Sequence, residues 1–562
     1  MRVLRSLPAL LAALSIASGF VSCGKDENME FRQFVDDHTS RVSLLERQGS
    51  LAYWEASRSG REEDYLAFSR SQMELEKIYT SREDFEYIKK VRAEGRLKDP
   101  VLRRIADILY LKYVGNQVDP AILQRIVDLS GRIDNQFSVF RPVVDGKEMT
   151  TNEVYTALRE STDGAYRKKV WEASKSVGPV VIKDLMELVR ARNEAARAAG
   201  FENYYRMSLT LSEQDEGELA AVFEELERLT REPFLAMKRE LDSELAKRYG
   251  IDPEEMRPWH YQDPYFQEAP SVGEVDFDAY YKGRDIAELA TVFYAGLGMP
   301  VEDIISRSDL HERAGKNPHA FCTNIDRSGD IRILCNLVDN GQWMETMLHE
   351  LGHGVYDKYI DRELPWLLRT FPHLCLTEAS AMFFGRLSQD PGWMKAALGL
   401  GDEEAARIAP ALAKSLRAKQ LVFARWVQVM FNFERELYRD PDQDLNALWW
   451  DLKEKYQFVK RPEGRDEPDF AAKIHIISSP AYYHNYMLGE MIASQLGDCL
   501  KRRFAGRGGE TGVYGNRAVG DFFREVVYGP GNILPWDEHV EKVTGEPLTA
   551  KYFVAQFVEE KD

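Results

Sequence analysis

Histidine and cysteine are scarce in this chain, and long apolar runs are nearly absent. The 562 residues include 10 histidines and 5 cysteines, and the spacing of the cysteines is not that of a structural zinc site. Beyond the N-terminus, no stretch is long and apolar enough for a membrane span. The formal net charge of −18 argues against nucleic acid, whose phosphates demand a basic stripe. The excess of acidic residues predicts a well-solvated surface, and it does not indicate any particular substrate.

The chain also lacks a linker rich in proline, glycine or serine, and it has no internal repeat at a fixed period. Length alone would allow three or four average domains. The nearest candidate for a linker is the segment 505–516, which contains five glycines and is predicted to be a surface loop. We therefore predict one domain over residues 23–562.

Helical patterns dominate the sequence. Apolar residues recur at helical spacing in long charged segments, which are 31–96, 100–133, 180–200, 213–249 and 407–438. Strand signals are sparse, and two short strands are predicted at 319–324 and 331–336. An edge strand there could pair with an extended peptide. The patterns predict a mainly α fold with one small β-sheet.

One pattern stands out because histidine is rare: residues 349–353 read His-Glu-Leu-Gly-His. The preceding residues 342–348 have helical spacing without proline or glycine, and Asn340 is a plausible start signal. Positions i and i+4 of a helix share one face, so His349 and His353 can point at one metal ion. Glu350 projects beside that face, where a general base belongs. The alternative is a surface helix with two satisfied histidines.

A catalytic zinc ion takes three protein ligands and leaves a fourth position for water. Glu378 is the favoured third ligand, because it is a lone carboxylate inside the apolar, helix-like run 376–384. A carboxylate in apolar surroundings is costly unless a partner of opposite charge, such as a metal ion, compensates it. Glu363 is closer in sequence, but it lies in a polar run and is expected to be solvated. The pattern predicts one Zn²⁺ per chain, with Glu350 taking the proton of the attacking water.

Beside the metal-binding motif, five segments carry a likeness to a known family. They are Leu364-Pro365 followed by Leu368-Arg369 and Glu378-Ala379, Trp449-Trp450-Asp451-Leu452-Lys453-Glu454-Lys455-Tyr456-Gln457, Asp469-Phe470-Ala471-Ala472-Lys473-Ile474-His475-Ile476 with Ser478-Ser479, Asn193-Glu194-Ala195-Ala196-Arg197 and Val543-Thr544-Gly545-Glu546-Pro547. These segments resemble the angiotensin-converting enzyme family of zinc peptidyl-dipeptidases, in a bacterial version, with thimet-type oligopeptidases as the nearest neighbour. The resemblance implies a large two-lobed helical body with a deep central cleft that admits short peptides, and a zinc-site core at about 319–490. His319 and Ala320 would lie along the substrate backbone.

The resemblance also implies roles for individual residues. His475 and Tyr486 would stabilise the tetrahedral intermediate. Lys473 and Tyr483 would bind the free carboxylate of the substrate, which makes such an enzyme cut two residues from the C-terminus. Gln262 would join them, although its spacing differs from the family pattern by one residue.

Three further positions depart from the family pattern. Met382 stands where the family usually has an aspartate that orients a zinc histidine. Another group must therefore accept the second ring N–H of that histidine. The spacing from His475 to Tyr486 carries one extra residue, which leaves the assignment of Tyr482, Tyr483 and Tyr486 open. Asn485 stands where the family often has an arginine linked to chloride activation, so chloride dependence is also open.

The N-terminus predicts export. Residues 1–5 carry two arginines, and residues 7–21 are apolar but too short to span a bilayer. The small residue before Cys23 resembles a bacterial lipobox, with Cys23 as the acylated first residue of the mature chain. We expect a signal peptide over 1–22 and a lipoprotein on the periplasmic side of a bacterial membrane, held there only by its lipid. Ordinary secretion is the alternative.

The sequence thus predicts an exported zinc metallopeptidase that releases C-terminal dipeptides from short peptides. A thimet-like endo-oligopeptidase is the first alternative, and Lys473 with the paired tyrosines argues against it. A catalytically inactive peptide-binding lipoprotein is the second alternative, and the intact set of candidate catalytic residues argues against that. The oligomeric state is left open.

Overall fold

The computed structural model describes residues 27–270, 276–504 and 512–558. The predicted signal peptide and Cys23 lie outside these residues, as does most of the predicted glycine-rich loop. The described chain is mostly helical, which confirms the predicted fold class. None of its helices combines the length and apolar character that crossing a membrane requires.

The N-terminal part is a set of five helices. The pattern predicted as one helical segment over 31–96 is divided into three helices, because the chain turns at Gly60 and again at Ser81, whose hydroxyl caps the third helix. Proline at the first position and an aspartate cap begin the fourth and fifth helices. The five are α1 (Glu27–Ser59), α2 (Glu62–Tyr79), α3 (Arg82–Glu94), α4 (Pro100–Val114) and α5 (Pro120–Val139).

A two-stranded ribbon and seven helices follow. The ribbon was not expected from the sequence, since each of its strands has only two residues. These elements are β1 (Val143–Val144), β2 (Lys147–Glu148), α6 (Thr151–Glu160), α7 (Gly164–Lys175), α8 (Val177–Ala198), α9 (Tyr204–Leu211), α10 (Glu216–Tyr249), α11 (Ile286–Gly296) and α12 (Glu302–Ile305).

The next segment contains the predicted hairpin and the predicted metal-binding helix. β3 (Phe321–Asn324) and β4 (Ile331–Leu334) pair antiparallel, with Cys322 opposite Ile333. Both strands pack against α13 (Gly341–Tyr359), so the prediction of a small sheet beside this helix is confirmed. Asn340 caps α13 by accepting the N–H of Trp343. α14 (Leu374–Gly385) and α15 (Pro391–Leu398) follow.

The C-terminal part adds a long helix and six shorter ones. A π-helical segment, Phe523–Tyr528, continues directly from α20. The helices are α16 (Asp402–Arg439), α17 (Leu445–Gln457), α18 (His475–Ser478), α19 (His484–Phe504), α20 (Arg517–Phe522), α21 (Trp536–Thr544) and α22 (Lys551–Phe557).

One large hydrophobic core extends from Leu129 in α5 to Val558 and includes the buried faces of α13, α14, α16 and α19. A second cluster lies among α1, α3 and α4, and it reaches the rest of the chain through Leu367 and Leu368. α13 is therefore flanked by packed helices on one side and by the β3–β4 hairpin on another.

Candidate metal centre and active site

Three side chains from two neighbouring helices converge on one point. His349 and His353 are one turn apart on α13, and Glu378 comes from α14. One ligand atom from each of the three lies within 4.8 Å of the others, and His349 Nε2 is 3.7 Å from Glu378 Oε2. Glu363, the alternative third ligand, is exposed in the turn after α13 and is not part of this group.

Small residues allow the helices to approach closely at this point. A Cβ at Gly352, inside the metal-binding motif, would lie 2.7 Å from the Cα of Ala381 in α14. A Cβ at Gly489 in α19 would lie 3.1 Å from the Cβ of Glu378. Larger side chains at either position would push the helices apart and carry Glu378 away from the two imidazoles.

The ring of His353 is oriented by α14. Its Nδ1 lies 2.7 Å from Oγ1 of Thr377, which directly precedes Glu378 and is buried. If Nδ1 carries the proton and donates it to the hydroxyl oxygen, Nε2 remains as the ligand atom. Thr377 thus supplies the acceptor that the sequence analysis could not name, in place of the aspartate that Met382 replaces.

The three metal-ligand candidates are half-buried and Glu350 is buried, and the site holds two acidic groups without a basic partner among the described residues. Burial raises the pKa of Glu378 to about 7, and burial together with the neighbouring Glu378 raises the pKa of Glu350 to about 8. Burial lowers the pKa of His349 to about 4 and also lowers that of His353. Among the described residues, no lysine or arginine forms an ion pair with either carboxyl. Two neutral imidazoles and a carboxylate are a donor set that suits Zn²⁺, and a divalent cation would compensate the buried acids.

Glu350 lies between the metal-ligand candidates and the edge of the hairpin. Its side chain is 7% exposed, and its carboxyl accepts the backbone N–H of Cys322 in β3. The N–H of Ile325 donates to the carbonyl of Asp330 across the hairpin. Peptide groups point alternately to the two edges of a strand. Since Ile325 faces β4, the peptide groups of Phe321 also face β4, whereas those of Cys322 face the opposite, outer edge of β3.

The same alternation places Ala320 on the outward edge, directly before β3, while its neighbour His319 is exposed. The far edge of β4 is occupied, because the segment at Asp309 bonds to Ile333 and Cys335. The edge available for an added strand is thus that of β3, which runs past Glu350.

The segment 473–486 brings most of the remaining candidates together. The rings of His475 and Tyr483 are 5.1 Å apart, and those of Tyr483 and Tyr486 are 5.5 Å apart. Burial and, after it, the charge of Glu378 raise the pKa of Tyr486, which places this tyrosine near the third ligand candidate. Tyr482 also lies near Glu378, and its ring is 5.4 Å from that of Tyr486.

Lys473 is held in an aromatic enclosure. Its Nζ donates to Oε1 of Gln267 at 2.5 Å and lies 5.0 Å from the ring centre of Tyr265 and 5.3 Å from those of Trp426 and Tyr483. Burial lowers the pKa of Lys473 to about 8. Among the described residues it has no ion-pair partner, so its charge is available to an anionic ligand.

The amide beside Lys473 belongs to Gln267, which the sequence analysis did not single out. The predicted residue, Gln262, is buried beside Tyr249 instead. The chain turns sharply between the two glutamines, where Asp263 accepts the N–H groups of Tyr265 and Gln267. Phe266 has a φ of +54° in this turn. A linear count along the sequence could not anticipate that turn.

Asn485 makes a neutral contact in the structure. Its Oδ1 accepts Nε2 of Gln214 at 2.7 Å, and Oε1 of Gln214 lies 2.9 Å from Nε2 of His484. Asn485 thus belongs to a chain of uncharged side chains, at the position for which the resemblance implied an arginine.

A large cavity, with a volume of about 2160 Å³, lies elsewhere. It is lined by parts of α10, α15, α16, α19 and α22, and none of the three metal-ligand candidates lines it. The candidate site is therefore identified by the donor chemistry of its side chains and not by this cavity.

Comparison with known proteins agrees with this geometry. A peptidase family model, described as angiotensin-converting enzyme, matches residues 272–559. The angiotensin-converting enzyme of Theromyzon tessulatum is 23% identical over 293 residues, which cover 49% of this chain and 46% of that protein. The angiotensin-converting enzyme-like protein Ace3 of Mus musculus is 30% identical over 117 residues, covering 20% of this chain and 16% of that protein.

The chain thus spans about half the length of the first of these relatives and about a sixth of the second. The family match, however, covers just over half of this chain and includes the hairpin, the metal-ligand candidates and the segment 473–486. On that match, the protein belongs to the angiotensin-converting enzyme family.

Proposed function

We propose that the protein is a zinc metallopeptidase that releases dipeptides from the C-termini of short peptides. The observation that carries the proposal is the convergence of the half-buried side chains of His349, His353 and Glu378 on one point, with the buried Glu350 beside them. Family membership supports peptide hydrolysis. Zinc, when bound by these three residues, supplies the Lewis acidity that activates water and polarises the scissile carbonyl.

Glu350 is the general base in this proposal. Its carboxylate takes a proton from the attacking water and passes it to the leaving amine. A group that both accepts and donates works best with a pKa near the operating pH. Burial raises the pKa of Glu350 to about 8, and a cation beside it would lower that value. The N–H of Cys322 holds the carboxyl in place.

His475 and Tyr486 are the proposed donors to the tetrahedral oxyanion. Burial, with a smaller contribution from Lys473, lowers the pKa of His475 to about 4, so its imidazole is neutral at pH 7 and carries one N–H. The raised pKa of Tyr486 keeps its O–H protonated. Preformed donors of this kind stabilise charge that develops in the transition state.

The dipeptide-releasing mode rests on Lys473. Its ammonium, with Gln267 and Tyr483 beside it, is suited to the free carboxylate of a peptide C-terminus. The extended backbone would lie along the outward edge of β3, past Ala320. An enzyme that holds the terminal carboxylate at a fixed distance from the metal cuts at a fixed distance from the C-terminus.

Product analysis tests the proposal. Purified protein is incubated with a peptide library and with the same peptides amidated at the C-terminus, with and without a chelator, and the products are identified by mass spectrometry. We expect rapid release of dipeptides from the free peptides, much slower release from the amidated peptides, and none from either after chelation. Internal cleavage of the amidated peptides at similar rates would instead support the thimet-like alternative.

A variant sharpens this test. Lys473→Met should raise KM for free peptides while leaving the slow cleavage of amidated peptides unchanged. Lys460→Met is the matched control, because Lys460 is exposed and forms its ion pair, within the described part of the chain, with Glu254.

We also propose, from the sequence features alone, that the protein is exported and acylated at Cys23. Mass spectrometry of the mature N-terminal peptide tests this. A diacylglyceryl cysteine at position 23 is expected, and an unmodified N-terminus elsewhere would point to ordinary secretion.

A further inference from the structure

Glu434 is a buried carboxyl that the proposed chemistry does not use. It lies on α16 and is 2% exposed, and its Oε1 accepts the backbone N–H of Ala481 at 2.9 Å. Burial raises its pKa to about 8, while the bond from Ala481 and the charge of Arg192 act in the opposite direction. Burying a carboxyl costs free energy, and this one is buried in contact with the segment 473–486.

The backbone of Ala481 is in an unusual conformation. Its φ is +54°, in the left-handed region that residues with a Cβ seldom adopt. Its side chain is buried, so the residue has no freedom to relax outward. In this conformation its N–H points at Glu434.

A second buried charged side chain, that of Arg192, forms a hydrogen bond at the other end of the same turn. Arg192, from α8, donates its Nη2 to the carbonyl of Ile477 at 2.7 Å and its Nη1 to the hydroxyl of Tyr438 at 3.1 Å. Ile477 belongs to α18, the one-turn helix that begins at His475. Arg192 and Glu434 therefore hold the two ends of the span 477–481 from two different helices.

The conformation of Ala481 decides which way the following tyrosines point. Tyr483 points toward His475, and its hydroxyl oxygen accepts a hydrogen bond from Nε1 of Trp426 at 2.8 Å. Tyr482 lies near Glu378, and the rings of both tyrosines contact that of Tyr486. Because φ is a rotation of the chain about one bond, a change of φ at Ala481 would redirect both rings.

We propose that Glu434, together with Arg192, is a positioning residue: its bond to Ala481 holds the left-handed turn that aims His475, Tyr483 and Tyr486. The expected effect on catalysis rests on the proposed function. The expected effect on the conformation of the turn does not. Misplacement of about 1 Å at a reacting centre can cost about 100-fold in rate.

Variants at Glu434 test the bond. Glu434→Met removes the acceptor and keeps the volume, and kcat should fall about 10- to 100-fold while KM and bound zinc change little. Glu434→Gln retains an acceptor oxygen and should restore most of the activity. A merely structural role would lower the thermal midpoint of Glu434→Met but leave kcat of the folded protein unchanged, and that result would overturn the proposal.

Variants at Ala481 test the turn independently, and they serve if Glu434→Met does not fold. Glycine adopts a positive φ freely, so Ala481→Gly should keep full activity and should partly restore Glu434→Met. Ala481→Val should reproduce the loss, because a β-branched residue resists this conformation. Wild-type kcat in Ala481→Val would overturn the proposal.

Hydrogen exchange separates this inference from the proposed function. The amide of Ala481 should be protected in the wild type and should exchange faster in Glu434→Met or, failing that, in Ala481→Val. Unchanged exchange would overturn the positioning role whatever the activity. Faster exchange in a protein whose wild type shows no peptide turnover would support the role and defeat the proposed peptidase function.

Discussion

Thr377 Oγ1 lies 2.7 Å from Nδ1 of His353, on the residue immediately before the third metal-ligand candidate. The contact joins α13 to α14 at the candidate metal centre, so the residue that orients one ligand candidate, His353, is the direct chain neighbour of another, Glu378. Partners of this kind fix the tautomer and the ring orientation of a ligating histidine.

Thr377→Val should therefore weaken zinc binding about 10- to 100-fold, since it keeps the shape and removes the acceptor. Zinc affinity measured by competition with a chelator checks this, and Thr377→Ser, which keeps the hydroxyl, is the control. Equal affinities in the valine and serine variants would mean that Thr377 does not support the ligand.

Glu350→Gln should retain zinc and lose turnover by several orders of magnitude, because the variant removes the base and leaves the ligands in place. The measurement pairs metal analysis with kcat on a free-carboxylate peptide. Near-normal turnover in a zinc-loaded variant would refute the role of Glu350 as base.

Tyr486→Phe should lower kcat much more than it raises KM, since the hydroxyl acts mainly in the transition state. Tyr482→Phe is the matched comparison, because both rings lie near Glu378. A larger loss of kcat in Tyr482→Phe would transfer the donor role to Tyr482, and an effect of Tyr486→Phe confined to KM would make Tyr486 a binding residue.

Gly352→Ala should destabilise the protein by about 1–3 kcal/mol, because its Cβ would lie 2.7 Å from the Cα of Ala381. The free energy of unfolding in denaturant is the measurement. Gly131→Ala in α5 is the control, since a Cβ there meets nothing within 4 Å and the better helix former should stabilise by up to about 1 kcal/mol. Equal stability of the two variants would contradict the close approach of α13 and α14.

The affinity for peptides with a free C-terminus should fall as the pH rises through about 8. Burial lowers the pKa of Lys473 from its usual 10.5 to about 8, so its ammonium is charged below that pH and neutral above it. KM measured from pH 6 to 10 should rise on the alkaline side for free peptides and not for amidated ones. Lys473→Arg, which stays charged, should remove the rise, and a rise that persists there would assign the effect to another group.

Much of the metal centre was predictable because its determinants are local. The i, i+4 spacing of His349 and His353 places them on one helix face, and the lone Glu378 in an apolar run signals a buried ligand. The hairpin was also predictable, since two short strand patterns flank a turn. The supporting residues were harder to find. Thr377 carries no signal of its own, although a glycine inside a predicted helix, as at Gly352, is a sign of close packing.

The sequence by itself predicted the class of fold, the candidate metal ligands and the family, because helical periodicity, donor spacing and motif composition are properties of contiguous residues. Only the tertiary structure decided that Gln267 accepts a hydrogen bond from Lys473, that Thr377 contacts His353, and that Glu434 accepts the N–H of Ala481. Each of these contacts joins separate elements across a turn or between helices. Side-chain contacts of that kind depend on the packing of the whole core, which no local pattern encodes.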